Sequence, residues 1–254
     1  IALFQQSVDT RDTNVDMRDK EPRVSFGRKW LEGSVVDLFK DQVSRYNLLF
    51  ASDVNEDSLA VLKDGGIPEL NALKMHNSTV YSWNRACYGV GGGKPHLRIE
   101  NRYIPAGPAV LDEMANTAFW LGLMKGMPAD CADMPSRMSF EDVRYNFYNA
   151  ANTSLDCQFR WFGQTVSAAK LIEEELIPMA YKELKSLKVD LADIERLLGV
   201  IESRIYSHMN GAQWQMKNFS ELLIGSTPNE ASISLTRESM RTNKLKSQFT
   251  YGRM

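Results

Sequence analysis

The chain has 254 residues, 43% hydrophobic and 24% charged, enough for one large domain or two small ones with a sizeable core. Its 30 basic and 32 acidic residues leave a net charge of −2, which argues against a chain-wide nucleic-acid footprint. No apolar run reaches membrane-spanning length, and no signal-peptide pattern is read.

The three cysteines, Cys87, Cys131 and Cys157, are an odd number without metal-type spacing. They suit a reducing, cytoplasmic setting in which thiols fill apolar space. His76, His96 and His208 show no zinc pattern either. The chain opens with IALF at 1–4, which reads as a buried strand already in progress. With no initiator Met, it is expected to be a piece of a longer protein. A polar, Asp- and Arg-rich stretch, 8–30, follows and reads as a loop, either solvated or substrate-facing.

Ser34, with Asp37 three residues on, predicts a capped helix over 35–50, whose Val35, Val36, Phe39, Val43, Tyr46 and Phe50 recur at helical spacing. A short helix is expected at 57–63. STVYSWNRACYGV (78–90) reads as a strand, GVGGGKP (89–95) as a loose turn, and HLRIENRYIP (96–105) as the returning antiparallel strand. The glycines lack the full phosphate-loop pattern and precede a strand, not a helix.

Pro108 suits the start of a helix running to about Lys125, apolar over much of its circumference and expected to be deeply packed. Further helices are expected at 139–151, at 168–187 with an interruption at Pro178, from the Asp190 cap onward, and at 211–219. A short strand and turn is expected at 158–168. Residues 225–254 read as a polar tail or linker after a 1–224 domain. The fold class is α+β with antiparallel visible strands.

His96, Arg98, Glu100 and Arg102 occupy alternate positions of one strand, so they share one face at ~6.6 Å intervals. Arginines grip phosphate or carboxylate with paired N–H donors, and a carboxylate suits Mg²⁺. Alternation by itself leaves two readings open: a solvated edge strand, or the floor of a site for charged ligands.

The block PHLRIENRYIPAGPAVLDEMANTAFWLGLMKG (95–126) resembles the glutamate–cysteine ligase superfamily, in particular its bacterial family-2 and carboxylate–amine ligase branch. The shared features are Glu100 two before Arg102, Gly107-Pro108, Asp112, Asn116 and Ala118-Phe119, preceded by the Tyr–x–Trp–x–Arg strand of TVYSWNRACYG (79–89). The likeness is loose outside 78–126. It implies a glutamine-synthetase-like antiparallel sheet packed with helices, here a C-terminal portion of the catalytic domain. The acidic metal-binding strands of that superfamily are not found, so the N-terminal segment of the same protein is an expected partner.

The implied activity is ATP-dependent joining of a carboxylate, glutamate foremost, to an amine such as cysteine, the chemistry that opens glutathione biosynthesis. The implied ligands are ATP, Mg²⁺ and amino acids, with no nucleic acid or membrane; homo-oligomerisation is left open. Arg102 would be catalytic, on the transferring phosphoryl group. Glu100 would hold metal. His96, Arg98, Arg85 and Arg204 would contact nucleotide phosphate, Arg204 being equally open to a surface salt bridge. Asp112 and Asn116 share a helix face and are expected to bond the sheet. Arg18, Arg23 and Arg28 are candidates for a substrate carboxylate. Trp120, Trp161 and Phe119 are expected in the core. The alternative function is a non-catalytic module on the same fold that senses an amino acid or nucleotide.

Overall fold

A computed structural model describes residues 1–8, 22–53, 55–105, 107, 109–127, 131 and 133–245. Arg18 lies outside them. The chain forms two compact units, Ile1–Pro105 and Ala106–Met254.

In the first unit, the opening segment is a helix, α1 (Ala2–Ser7), not a strand, and it buries no residue. Phe4 supplies its main contact, meeting Tyr81 and Trp83 edge-on and tilted, at centroid distances of 5.7 and 5.8 Å. A short strand β1 (Val24–Ser25) pairs in parallel with β2 (Tyr81–Ser82), a pairing the antiparallel expectation did not include. The helix expected over 35–50 is α2 (Val35–Arg45), eleven residues long, and it ends five residues earlier than expected. Its capping box holds: Ser34 N–H and Oγ both donate to Asp37 Oδ2, at 2.8 and 2.9 Å. Tyr46 leaves the helix with extended backbone and is buried.

Helices α3 (Ser58–Lys63) and α4 (Asn71–Ser78) follow. Sequence periodicity did not indicate α4. Its start is fixed by Glu56, whose carboxylate accepts from the backbone N–H groups of Glu69 and Leu70 at 2.8 and 3.1 Å. The expected strand 78–90 is therefore divided: Ser78 ends α4, and β2 is separated by Trp83 from β3 (Asn84–Gly91), which pairs with β4 (Lys94–Asn101).

In the second unit, α5 (Val110–Gly126) packs with α9 (Ile177–Ser186) and α10 (Leu191–Tyr206) around a core of Ala115, Ala118, Ala180, Ile194, Leu198 and neighbouring aliphatic residues. Helix α5 is not buried all round. Its inward stripe is small (Ala115, Ala118, Gly122), while Val110, Met114, Leu121 and Met124 are exposed. The reason is distance: a Cβ on Gly122 would stand 2.7 Å from Ala180 Cα, so the two backbones approach too closely for large side chains.

Helix α6 (Met134–Arg137) and α7 (Phe140–Thr153) precede a hairpin, β5 (Gln158–Trp161) and β6 (Gln164–Ser167), and α8 (Ala168–Leu171). Residues Ile172–Leu176 form one π-helical turn joining α8 to α9. Helices α11 (Gly211–Leu222) and α12 (Pro228–Leu245) close the described chain, so most of the expected polar tail is helix. The whole is mixed helix and strand, with three separate two-stranded sheets among the described residues.

Candidate functional site

The β3–β4 hairpin turns at Gly92 and Gly93, with φ of 57° and 72°. Two successive positive φ values make a tight two-residue turn, which glycine adopts without strain. The loose connection expected over 89–95 is thus replaced by a turn that fixes register: Gly91 faces Lys94, Gly89 faces His96, Cys87 faces Arg98 and Arg85 faces Glu100. A two-glycine turn read from the sequence would have given the same register and placed Arg85 on the charged face. Gly89 has a steric role: a Cβ there would stand 2.8 Å from His96 Cε1 and Nε2 and 3.1 Å from Arg98 Nη1.

Three arginines converge on Glu100. Its Oε2 accepts from Arg85 Nη2 at 2.7 Å and Nε at 3.2 Å, and from Arg102 Nη2 at 3.0 Å. Its Oε1 accepts from Arg98 Nη2 at 2.9 Å. His96 Nε2 accepts from Arg98 Nη1 at 3.2 Å, which puts any proton of the neutral ring on Nδ1. The row read from alternation is therefore one connected network, with Arg85 added from across the ladder. Arg102 also lies over the ring of Tyr81, 5.4 Å from its centroid, and Arg85 Nη1 donates to the Asn77 carbonyl at 3.1 Å. Neither Tyr81 nor Asn77 carried a sequence signal for this role.

Partial burial by itself would raise the Glu100 carboxyl pKa. Hydrogen bonds from Arg85, Arg102 and Arg98 outweigh that and hold it at about 2. The carboxylate is ionised across the physiological range, and the cluster keeps an excess of two positive charges.

This geometry does not fit the expected role of Glu100 as a Mg²⁺ ligand. Both oxygens already accept from guanidinium groups, Oε2 from Arg85 and Arg102 and Oε1 from Arg98, and three adjacent positive charges would repel a divalent cation there. Among the described residues, no group of three or more His, Cys, Asp or Glu side chains is placed to hold a metal ion.

Arg204 belongs to the second unit, on α10. Its Nη2 donates to Asp112 Oδ1 at 2.6 Å and its Nη1 to Asn116 Oδ1 at 2.7 Å. Asp112 and Asn116 do share a face of α5, but they bond another helix, not a sheet. Arg23 is 1% exposed and donates to Thr79 Oγ1 at 3.0 Å and to the Asn47 carbonyl at 2.6 Å, which withdraws it from substrate. Arg28 is exposed. Of the expected core aromatics, Phe119 packs against the helical core, whereas Trp161 Nε1 reaches Glu175 Oε2 at 3.3 Å. All three cysteines are free and buried, and burial pushes the Cys157 thiol up.

Beside the charged row, an open groove of about 810 Å³ runs between α2, α4 and the hairpin, walled by Val36, Phe39, Val43, Leu73, Tyr88 and Leu97. The apolar stripe of α2 faces this groove. His96 and Lys40 also line it, and no acidic side chain does.

No family model, no curated protein and no solved structure matches the chain.

Proposed function

We propose that the chain is part of an ATP-dependent carboxylate–amine ligase that joins glutamate to an amine such as cysteine. The observation that carries this reading is the half-open arginine cluster of the β3–β4 hairpin and Arg102 just after it, with its surplus of positive charge beside an apolar groove free of acids. The sequence pattern over 78–126 supplies the reaction class. A carboxylate oxygen attacks the γ-phosphorus of ATP and ADP departs; the amine nitrogen then displaces phosphate from the acyl-phosphate. Such a site has to neutralise developing phosphoryl charge, which pre-placed guanidinium groups do without reorganisation.

On this reading Arg102 contacts the transferring phosphoryl group, and Arg98 and His96 contact nucleotide phosphate. Arg85 holds Glu100 in place. Mg²⁺ bound to ATP would help neutralise phosphate charge, and Glu100, held by the arginines, would take no part in holding it. On this reading the hairpin contributes two strands to a glutamine-synthetase-like antiparallel sheet.

The test uses the full-length protein with Mg-ATP, glutamate and a panel of amines, following phosphate release and ligated product. Amine-dependent release supports the ligase, and Arg102→Ala should then lower turnover at least ~100-fold without a matching loss of folding. Binding of ATP or amino acid with no release for any amine would replace the ligase with a sensing module.

A further inference from the structure

We propose that Arg98 and Arg102 form a metal-independent seat for an oxyanion, a phosphate or a carboxylate, and that Glu100 is the residue that positions them.

The three arginines are not equivalent. Arg85 has a side chain only 12% exposed, and its Nε, Nη1 and Nη2 are all engaged, by Glu100 and by the Asn77 carbonyl. It is the anchor. Arg98 is 49% exposed and spends its two terminal nitrogens on His96 and Glu100, leaving Nε. Arg102 is 31% exposed and spends Nε and Nη2 on Glu100, leaving Nη1. A guanidinium carries five N–H donors in a fixed fork, so each of these two retains outward donors. Both lean on the same carboxylate, Arg98 on Oε1 and Arg102 on Oε2, so the two half-free guanidinium groups flank Glu100 on one strand face. Ligand charge is met by the surplus of the cluster itself, so no bridging cation is required.

Glu100 earns its place by geometry. It draws three mutually repelling guanidinium groups together and holds two of them in a set orientation before a ligand arrives, which lowers the ordering cost of binding. This assignment does not depend on ligase chemistry: the seat binds phosphate or carboxylate whether or not turnover follows.

Titration calorimetry of the full chain with inorganic phosphate, and separately with glutamate, tests it in EDTA and in MgCl₂. Saturable binding of at least one anion is expected in EDTA, unchanged within about threefold by Mg²⁺, and weakened about 10- to 100-fold in Arg98→Ala and Arg102→Ala. Arg98 is the safer variant, being half-exposed. Which anion binds distinguishes a phosphate seat from a carboxylate seat. Glu100→Gln keeps one acceptor oxygen, enough for the arginines on one side only, and should weaken binding less than Glu100→Ala, and its response to Mg²⁺ alone should match that of the unaltered chain. Glu100→Ala should weaken binding about tenfold although it removes a negative charge, the opposite of a pure charge effect. The proposal is overturned if neither anion binds without Mg²⁺, if the arginine variants bind as the unaltered chain does, if Glu100→Gln abolishes Mg²⁺ binding, or if Glu100→Ala binds more tightly.

Discussion

Arg204 Nη2 lies 2.6 Å from Asp112 Oδ1, tying α10 to α5 across 92 positions of sequence. Asp112 is fully buried, and its second oxygen, Oδ2, has no hydrogen-bond partner among the described residues. Removing one member of such a pair strands the other charge in a dry place, whereas replacing both with apolar residues does not. Asp112→Ala and Arg204→Ala should each cost about 3–5 kcal/mol, and Asp112→Leu with Arg204→Met much less than their sum. Urea midpoints of the four proteins decide it; single variants as stable as the parent would show the pair to be idle.

Gly122 and Gly199 both lie inside helices yet should respond oppositely to alanine. At Gly122 the new methyl would meet Ala180 Cα and Cβ at 2.7 Å and its carbonyl oxygen at 2.9 Å, whereas Gly199 has nothing within 4 Å. Overpacking should cost Gly122→Ala about 1–3 kcal/mol. Gly199→Ala should gain up to about 1 kcal/mol from helix propensity and a less disordered unfolded chain. Thermal melts of the two variants would move in opposite directions.

Acid should act partly through Glu100. Its folded carboxyl titrates at about 2, against an ordinary value of 4.5. A depressed folded value means that the stabilisation is complete above pH 4.5 and is lost as pH falls from there toward 2. The contribution is on the order of 1–3 kcal/mol, reduced by solvent screening. Unfolding midpoints of the parent should therefore fall more steeply over that window than those of Glu100→Gln; parallel profiles would remove Glu100 from the acid response.

Arg23 should behave as a structural residue. Its guanidinium joins Thr79 Oγ1 and the Asn47 carbonyl and stands 5.6 Å from the centroid of the Tyr46 ring. Arg23→Ala leaves the buried Thr79 hydroxyl and the part-buried Asn47 carbonyl without this donor and should cost about 1–3 kcal/mol. A loss of substrate binding in a protein that remained fully stable would reverse this assignment.

Capping and period were good guides where local chemistry decides the outcome. Ser34 with Asp37, Asp190, and Ser167, whose hydroxyl accepts from Lys170 N–H, start helices where the residues indicate. Local signals failed where distant partners decide. Nothing near Asn71 announces α4, because its entry is held by Glu56, more than a dozen residues away. IALF carries strand-forming residues, but at 1–4 it meets an aromatic pair at Tyr81 and Trp83, which a helical turn satisfies. The charged row was legible because period two survives in an isolated ribbon. The role of Glu100 was not, since a carboxylate between arginines reads the same in sequence whether it faces a metal or its own neighbours.

The π-helical turn at Ile172–Leu176 sits just ahead of Pro178, and Ile177 N–H reaches back five residues to the Ile172 carbonyl. Pro178 has no N–H with which to continue the ordinary ladder, so the wide turn falls where the bonding pattern is already interrupted. Such a turn absorbs one residue beyond the α-helical count. Chain length is thereby uncoupled from rotation about the axis: Ala168 and Leu171 on one side, and Ile177 and Ala180 on the other, keep their inward faces despite the extra residue. At this locus in the second unit the chain can shed a single residue, from within Glu173–Glu175, and keep both buried faces in phase, with the ladder interrupted only at Pro178.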